Sequence, residues 1–248
     1  MRHVLSDFRY ALRGLRSAPV FTAVAVLSIV LGIGANTAIF TLVDQVLFRL
    51  LPVVHPDRIV VITAEGAQYG SGWGNGNELS YPRYADLRDH NDVFAGMLCR
   101  FGSDFHVSFA GRTERVQGEL VSGPYFPVLG VAAHLGRTFN PHEDKVPNGH
   151  PLAMLSYSYW KTRFGGDPAI VGQTLTVSNL PMEIVGVAQE GFDGVNKGTA
   201  AQIFVPIMMA GRLTPIADGI TDRRMRWLNV FARLRPGVTP QQAAASLQ

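Results

Sequence analysis

The sequence predicts an α+β protein in which one long apolar helix near the N-terminus precedes a mixed domain of short strands and helices. Residues 19–43 hold no charged side chain, and no comparable apolar run follows in the 248-residue chain. Beyond that run, alternating and β-branched segments are interrupted by many of the 26 Gly and 15 Pro residues. This pattern favours short elements joined by turns over a helical bundle.

The apolar run predicts a single membrane-spanning helix. The 24 residues from Val20 to Val43 would form about 36 Å of helix at ~1.5 Å per residue, and the hydrocarbon core of a bilayer is about 30 Å thick. A cleaved signal peptide is the alternative, because the small residues at 34–38 resemble a cleavage site. The run is about twice the usual length of a signal peptide's apolar region. We therefore expect a transmembrane helix and its extension over residues 19–51.

Residues 1–18 predict a basic amphipathic helix that lies on the cytoplasmic face of the membrane. Apolar residues recur at helical spacing, and the arginines fall largely on another side. The interfacial basic residues of this helix are Arg9, Arg13 and Arg16. A merely solvated basic leader is the alternative. The excess of arginine before the span predicts a cytoplasmic N-terminus and an external C-terminal domain.

One face of the span carries small residues. The face comprises Ala25, Ser28, Gly32 and Ala35, with Asn36 beside it. Small residues let another membrane helix approach closely, and an asparagine side chain can form a hydrogen bond across the contact. Such residues are also common in membrane helices in general. We expect the face to pack against a helix that the chain itself does not supply.

Residues 52–248 are expected to form the external domain. In the first half we predict a strand at 58–65, a glycine-rich loop at 66–78, a helix at 80–98, a hairpin of 104–109 with 114–121, and a short helix at 124–129. In the second half we predict a strand at 151–155, a helix at 156–164, a hairpin of 173–177 with 182–187, strands at 201–209 and 227–234, and a helix from 240. Ser156 and Thr239 are expected to cap the two later helices. The last helix is expected to continue to Gln248, as in a chain whose C-terminus is truncated.

Two loops hold candidate functional residues, and neither matches a known site. The loop 66–78 has no phosphate-binding spacing, and Trp73 at its tip is a candidate contact for a partner or for lipid headgroups. The loop 134–150 contains side chains of metal-ligand type, but their spacing matches no tight metal motif. These side chains are His134, His142, Glu143, Asp144 and His150. We expect a solvated loop and no metal site.

Composition and missing motifs argue against several classes of function. A net charge of +3 without a long basic run shows no footprint of nucleic-acid binding. The single Cys99 excludes an internal disulfide framework. No nucleotide-binding loop, nucleophile elbow or zinc motif is present. We therefore expect no catalytic residue, no cofactor in this chain and no enzymatic activity.

Several stretches together resemble the N-terminal part of MacB-type ABC transporter permeases, and among these the duplicated orphan permeases of acidobacteria. Each stretch alone is modest, but their order and spacing are specific. The matching stretches are 7–52, SYPRYADLRDH (80–90), ERVQGELVSGPYFPVLGV (114–131), LGRTF (135–139), LSYSYWKTRFGGDPAIVGQTL (155–175) and VGVAQEGFDGV (185–195).

The resemblance implies a first membrane helix followed by a periplasmic core domain of two subdomains. A porter-like α/β-plait subdomain would comprise residues 55–121 and 226–248, and a mixed subdomain of residues 122–225 would be inserted into it. The family carries three further membrane helices and binds a separate or cytosolic ABC ATPase dimer, which binds the ATP. Its other partners are a second permease copy, a periplasmic adaptor and an outer-membrane duct.

The implied function is coupling of ATPase-driven motion to periplasmic export or efflux, from the bacterial inner membrane. The chain lacks the later helices, so the resemblance implies the N-terminal portion of such a permease. A stand-alone, membrane-anchored periplasmic module that binds a partner or ligand is the alternative. The transported substrate is not readable from the sequence.

Overall fold

The computed structural model describes residues 19–43, 52–64, 70–73, 76–196, 198–216 and 219–247, without the side chains of residues 25 and 39–43. The chain divides into two compact units, Met1–Arg49 and Leu50–Gln248. Each unit is described by itself.

The described part of the first unit is one helix, α1 (Pro19–Val43), over the residues that the sequence predicts. Its stretch Pro19–Ala38 is long and apolar enough to cross a membrane, and none of it is buried. The hydroxyls of Ser28 and Thr37 donate hydrogen bonds to carbonyls one turn back in the same helix. These two polar side chains are therefore compatible with a lipid environment. The predicted amphipathic helix at 1–18 and the extension at 44–51 lie outside the described residues.

The described residues of the second unit form nine strands and several short helices. The strands are β1 (Ile59–Ile62), β2 (Phe94–Phe109), β3 (Arg112–Val121), β4 (Ala133–Gly136), β5 (Leu152–Leu155), β6 (Thr174–Val177), β7 (Leu180–Ala188), β8 (Ile203–Pro206) and β9 (Asn229–Leu234). The helices are α2 (Tyr81–Asp89), α3 (Tyr125–Leu129), α4 (Tyr157–Phe164), α5 (Ala210–Leu213) and α6 (Pro240–Ser246). Four 3-10 turns are Pro56–Arg58, Pro141–Asp144, Pro168–Ile170 and Ile207–Met209. The α+β class is therefore confirmed.

The strands of the described residues join in a single sheet with the order β1-β9-β2-β3-β8-β5-β7-β4, and β6 pairs with both β2 and β7. Strands β1 and β2 both run antiparallel to β9, which lies between them. The unit β1-α2-β2 is therefore a split βαβ arrangement with β9 in the gap. Strand β3 pairs in parallel with β8, which joins the first half of the sheet to the second.

Hydrophobic clusters cover both faces of the sheet. Side chains alternate between the faces along a strand, so Leu98 and Cys99 of β2 belong to different clusters. The larger cluster includes Tyr84, Trp160 and Trp227, and the smaller one packs the aromatic residues of α3 against Phe204. Because both faces of the sheet are covered, the core forms without a disulfide. The single Cys99 is accordingly free and buried.

The predicted helix at 80–98 is wrong beyond residue 89. Helix α2 ends at Asp89, and residues 94–98 begin the long strand β2. Asn91 explains the break, because its side-chain amide donates to the carbonyl of Leu87 at 2.8 Å and its side-chain oxygen accepts from the backbone of Phe94. The chain then continues as a strand along β9, with an irregular register between Phe94 and Gly96.

The predicted hairpins and caps are confirmed. Ala110 and Gly111 connect β2 to β3 with φ values of 48° and 76°, as a two-residue turn of type I′ requires. Ser178 and Asn179 form the β6–β7 turn, also with positive φ, and β7 begins two residues earlier than predicted, at Leu180. Ser156 caps α4, and Thr239 forms a reciprocal capping pair with Gln242 at α6. In the structure α6 ends at Ser246.

The predicted solvated loop at 134–150 is wrong in two places. Residues 134–136 belong to β4, and Asp144 is only 3% exposed. The 3-10 turn that ends in Asp144 is closed by a capping pair of Asn140 with Glu143. Asp144 is pressed against Gly123, where an added Cβ would lie 2.9 Å from the Asp144 Cβ. Among the described residues, no group of three or more His, Cys, Asp or Glu side chains could hold a metal ion.

Candidate functional site

The chain enters the second unit through residues 52–58, which we call the strap. The strap follows α1 in sequence after residues 44–51 and leads directly into β1. Its backbone accepts and donates hydrogen bonds with three separate parts of the unit. It is thus the place where the domain is fastened to the chain that comes from the span.

Gln189 and α3 hold the first half of the strap. The side-chain amide of Gln189 donates to the carbonyl of Pro52 at 2.8 Å, and its oxygen accepts from the backbone of Ala132 at 3.1 Å. The backbone N–H of Val54 donates to the carbonyl of Leu129 at 3.0 Å. Gly130 makes this approach possible, because an added Cβ would lie 2.6 Å from the Val54 side chain. Val53 packs against the smaller core cluster.

Two arginines hold the second half of the strap. Arg233 of β9 donates from Nε to the carbonyl of Val128 at 2.6 Å and from Nη1 to the carbonyl of His55 at 3.3 Å. Arg58 donates from Nε to the carbonyl of Leu234 at 3.1 Å. His55 has a φ of 47°, a left-handed backbone that turns the chain towards Arg233. Burial, and next the charge of Arg58, lower the pKa of Arg233, which stays a cation because an arginine pKa is so high.

The strap is joined to the rest of the unit by hydrogen bonds from several elements. Its backbone accepts from the side chains of Gln189 and Arg233 and donates to the carbonyl of Leu129, and each such hydrogen bond contributes about 1 kcal/mol. Gln189, Leu129 and Arg233 lie on different elements, so displacement of the strap must displace several parts of the domain together.

The side chains predicted to form a packing face lie on α1. By helical geometry Ser28, Gly32 and Ala35 share one side of that helix, and an added Cβ at Gly32 would meet no described atom within 4 Å. Asn36 is exposed, and the Ala25 side chain is outside the described set. Packing against another helix stays a prediction. Arg9, Arg13 and Arg16 lie outside the described residues.

The strap's anchors were missed in the sequence. Gln189 lies in the stretch 185–195 that carries the family resemblance. Its place in that stretch is the one feature of the sequence that pointed to Gln189. Arg233 lies on the side of β9 opposite the buried Val230, Ala232 and Leu234, which are one face of the predicted alternation. Nothing local pairs either residue with the strap, because 137 and 178 positions separate the bonded partners.

Comparison with known proteins agrees with this architecture. The model of the family described as "MacB-like periplasmic core domain" matches residues 22–248. The macrolide export ATP-binding/permease protein MacB of Salmonella paratyphi A is 22% identical over 259 aligned positions, which cover 99% of this chain and 37% of that protein. MacB of Escherichia coli K12 is 21% identical over 260 positions with the same coverage. The chain thus spans 37% of the length of these relatives.

Solved structures share the fold. The periplasmic region of MacB from Actinobacillus actinomycetemcomitans superimposes with a TM-score of 0.56 at 14% identity, over 76% of this chain and 79% of that one. A domain of a putative permease protein from Porphyromonas gingivalis gives 0.55 at 19% identity, over 79% and 83%. The extracellular domain of the noncanonic ABC-type transporter YknZ from Gram-positive bacteria gives 0.52 at 15% identity, over 69% and 80%.

The match of the family model over residues 22–248 covers far more than half of the chain. A candidate membrane helix precedes a mixed α+β domain, as the resemblance implies. The chain therefore belongs to the family of ABC transporter permeases with a MacB-like periplasmic core domain.

Proposed function

We propose that this chain is the N-terminal portion of a MacB-type permease, in which the strap passes ATPase-driven motion of the first membrane helix to the periplasmic domain. The observation that carries the proposal is the fastening of residues 52–58 to α3, to Gln189 and to β9. A domain that moved independently of its membrane helix would need no such set of bonds. The chain itself would perform no catalysis and hold no cofactor.

The proposed partners follow from the family. They are the bacterial inner membrane, further permease helices or a second permease copy, and an ABC ATPase subunit that binds the ATP. A periplasmic adaptor and an outer-membrane duct complete the proposal. The small-residue face of α1 would contact the other helices, and Arg9, Arg13 and Arg16 would lie at the cytoplasmic surface.

We also propose that the domain has a porter-like part, 55–121 with 226–248, and an inserted part, 122–225. Strands β1, β2, β3 and β9 fall in the first part and strands β4 to β8 in the second, which supports this division. The strap binds both parts, because Arg233 belongs to the first and Gln189 to the second. Under the proposal, motion of the strap would reach both parts at once.

Gln189→Ala should uncouple export from ATP hydrolysis in the intact permease, expressed with its ATPase. The substitution removes the bonds to Pro52 and Ala132, and we expect export to fall about fivefold or more, the lower range of coupling effects between sites. ATP hydrolysis should persist. The matched control is Gln173→Ala, because that side chain bonds only the neighbouring carbonyl of Ala169. Equal loss of export and hydrolysis, or no loss of either, would contradict the proposal.

Cysteine labelling tests the proposed topology. Cys99 is buried, and burial raises the pKa of its thiol, so the natural chain should give little background labelling. We expect a membrane-impermeant maleimide to label Lys145→Cys, an exposed position, in intact cells. It should label Ser6→Cys only after lysis. Labelling of the Ser6 variant in intact cells would reverse the topology.

A further inference from the structure

A polar cleft is lined by strands of the sheet together with Trp73, Asn196 and Thr199. Its volume is about 450 Å³, within the usual range for small-molecule sites. Residues of β2, β3 and β9 form its floor. Gly102 keeps that floor open, because an added Cβ would meet, among the described atoms, only the Arg100 guanidinium at 3.2 Å. None of the strap residues lines this cleft.

Among the described residues, each charged side chain that lines the cleft has at least one partner within the protein, and only the buried Nε of Arg100 lacks an acceptor. Arg100 Nη1 lies 2.9 Å from Glu119 Oε1, and both side chains are more than 90% buried. Asp104 pairs with Arg115, and Glu78 accepts from the backbone of Gly76 at 2.9 Å. A charged ligand would therefore have to compete with these existing pairs, at a cost in desolvation.

Three uncharged side chains that line the cleft have no hydrogen-bond partner among the described residues. Among the described residues, no side-chain hydrogen bond is formed by the amides of Gln117, Asn196 and Asn229. Each such amide offers both donors and an acceptor. Trp73 stands at the same cleft with 46% of its surface exposed, and its backbone is fixed by a bond to the carbonyl of Arg226 at 2.9 Å. A large exposed indole on an anchored backbone is a ready stacking surface.

We propose that this cleft is a binding site for a neutral saccharide. The aliphatic C–H face of a sugar ring is complementary to the electron-rich face of an indole. Its hydroxyl groups are both donors and acceptors and would pair with the three amides. This ligand class is favoured over an organic cation or a carboxylate for two reasons. The charged side chains are already paired, and the groups left to bind a ligand are three amides and the exposed ring of Trp73. The inference does not depend on the coupling role of the strap.

The test uses the purified full chain in a detergent without a sugar headgroup. Chitobiose and maltose are the probes, choline and acetate the comparison ligands, and ligand-observed NMR titration gives the affinities. We expect at least one disaccharide to bind with a Kd of about 1 mM or tighter. Trp73→Ala should weaken binding about tenfold or more, as loss of an aromatic stacking partner does elsewhere. Trp73→Phe should retain part of the affinity, because a ring remains.

Two further variants separate the cleft from a general surface effect. Asn196→Ala should weaken disaccharide binding about threefold or more, since one amide is lost. Gln241→Ala, an exposed amide on α6, should leave it unchanged. Absence of disaccharide binding would overturn the proposal. If choline or acetate bound more tightly than the disaccharides, the proposed ligand class would be wrong. If Trp73→Ala bound the disaccharides as tightly as the natural chain, the proposed location of the site would be wrong.

Discussion

Glu119→Gln should lower the free energy of unfolding of the domain by about 3–5 kcal/mol, the usual result of removing one partner from a buried ion pair. Glu119 accepts from Arg100 and from the Tyr125 hydroxyl, both at 2.9 Å. Burial raises the pKa of Glu119, and the nearby charge of Arg100 opposes that rise. Without the carboxylate, the Arg100 cation stays buried while its Nε has no acceptor.

For a domain of this size the loss corresponds to a fall in Tm of about 6–20 °C, measured by circular dichroism of the purified chain. Asp104→Asn is the matched control, because it breaks an exposed pair with Arg115 and should cost less than about 1 kcal/mol. The double change Arg100→Met with Glu119→Leu should recover most of the stability, since no buried charge remains. Equal effects of the two single changes would contradict this account.

Asp144→Asn should stabilise the domain at pH 8 and have much less effect at pH 4.5. Burial raises the pKa of Asp144 to about 7, against the opposing contributions of the Gly123 N–H and of Arg88. The unfolded chain has an aspartate pKa of about 3.9. The folded state therefore binds the proton more tightly, and stability falls as pH rises from about 4 to about 7.

A difference of that size between the folded and unfolded pKa corresponds to at most about 4 kcal/mol at pH 8. The groups that face Asp144 do not titrate in this window: burial also raises the pKa of Tyr81, Tyr84 and Cys99, and Arg88 stays charged. Denaturant unfolding at the two pH values measures the change. Since only the difference between the two pH values is compared, any pH-independent effect of the new amide cancels.

Glu143→Gln is the control with the opposite sign. Burial would raise the pKa of Glu143, but its bonds to Arg137 and Asn140 outweigh burial and lower it. Its contribution to stability is therefore present above the unfolded pKa and lost as pH falls. We expect this substitution to destabilise the domain more at pH 8 than at pH 3. The same pH trend in both variants would show that Asp144 is not the titrating group.

Sequence reasoning succeeded where local chemistry decides the structure. The helix at 19–43 needs only a long uncharged run, the turn at Ala110 and Gly111 needs two residues that tolerate positive φ, and the cap at Thr239 needs only Gln242 three positions later. The family resemblance likewise depends on ordered stretches that are visible in one sequence.

Sequence reasoning failed where distant contacts decide. Residues 94–98 fit a helix or a strand by pattern, and pairing with β9, more than 130 positions away, selects the strand. From the sequence alone, Asp144 is predicted to be a solvated carboxylate in a loop. Its burial depends on a distant residue, Gly123, which has no side chain and so lets Asp144 approach closely. The anchors of the strap and the cleft are assembled from parts of the chain that no local pattern connects.

The parallel pairing of β3 with β8 has a mechanical consequence. Four residue pairs from Gly118–Val121 to Ile203–Pro206 make the two halves of the sheet continuous, and the far end of β2 adds two more pairs with β6. Rotation of one half against the other would have to break this backbone ladder. Under the proposed coupling, a load on the strap should therefore tilt the domain as one stiff body, with little of the displacement absorbed by an internal hinge.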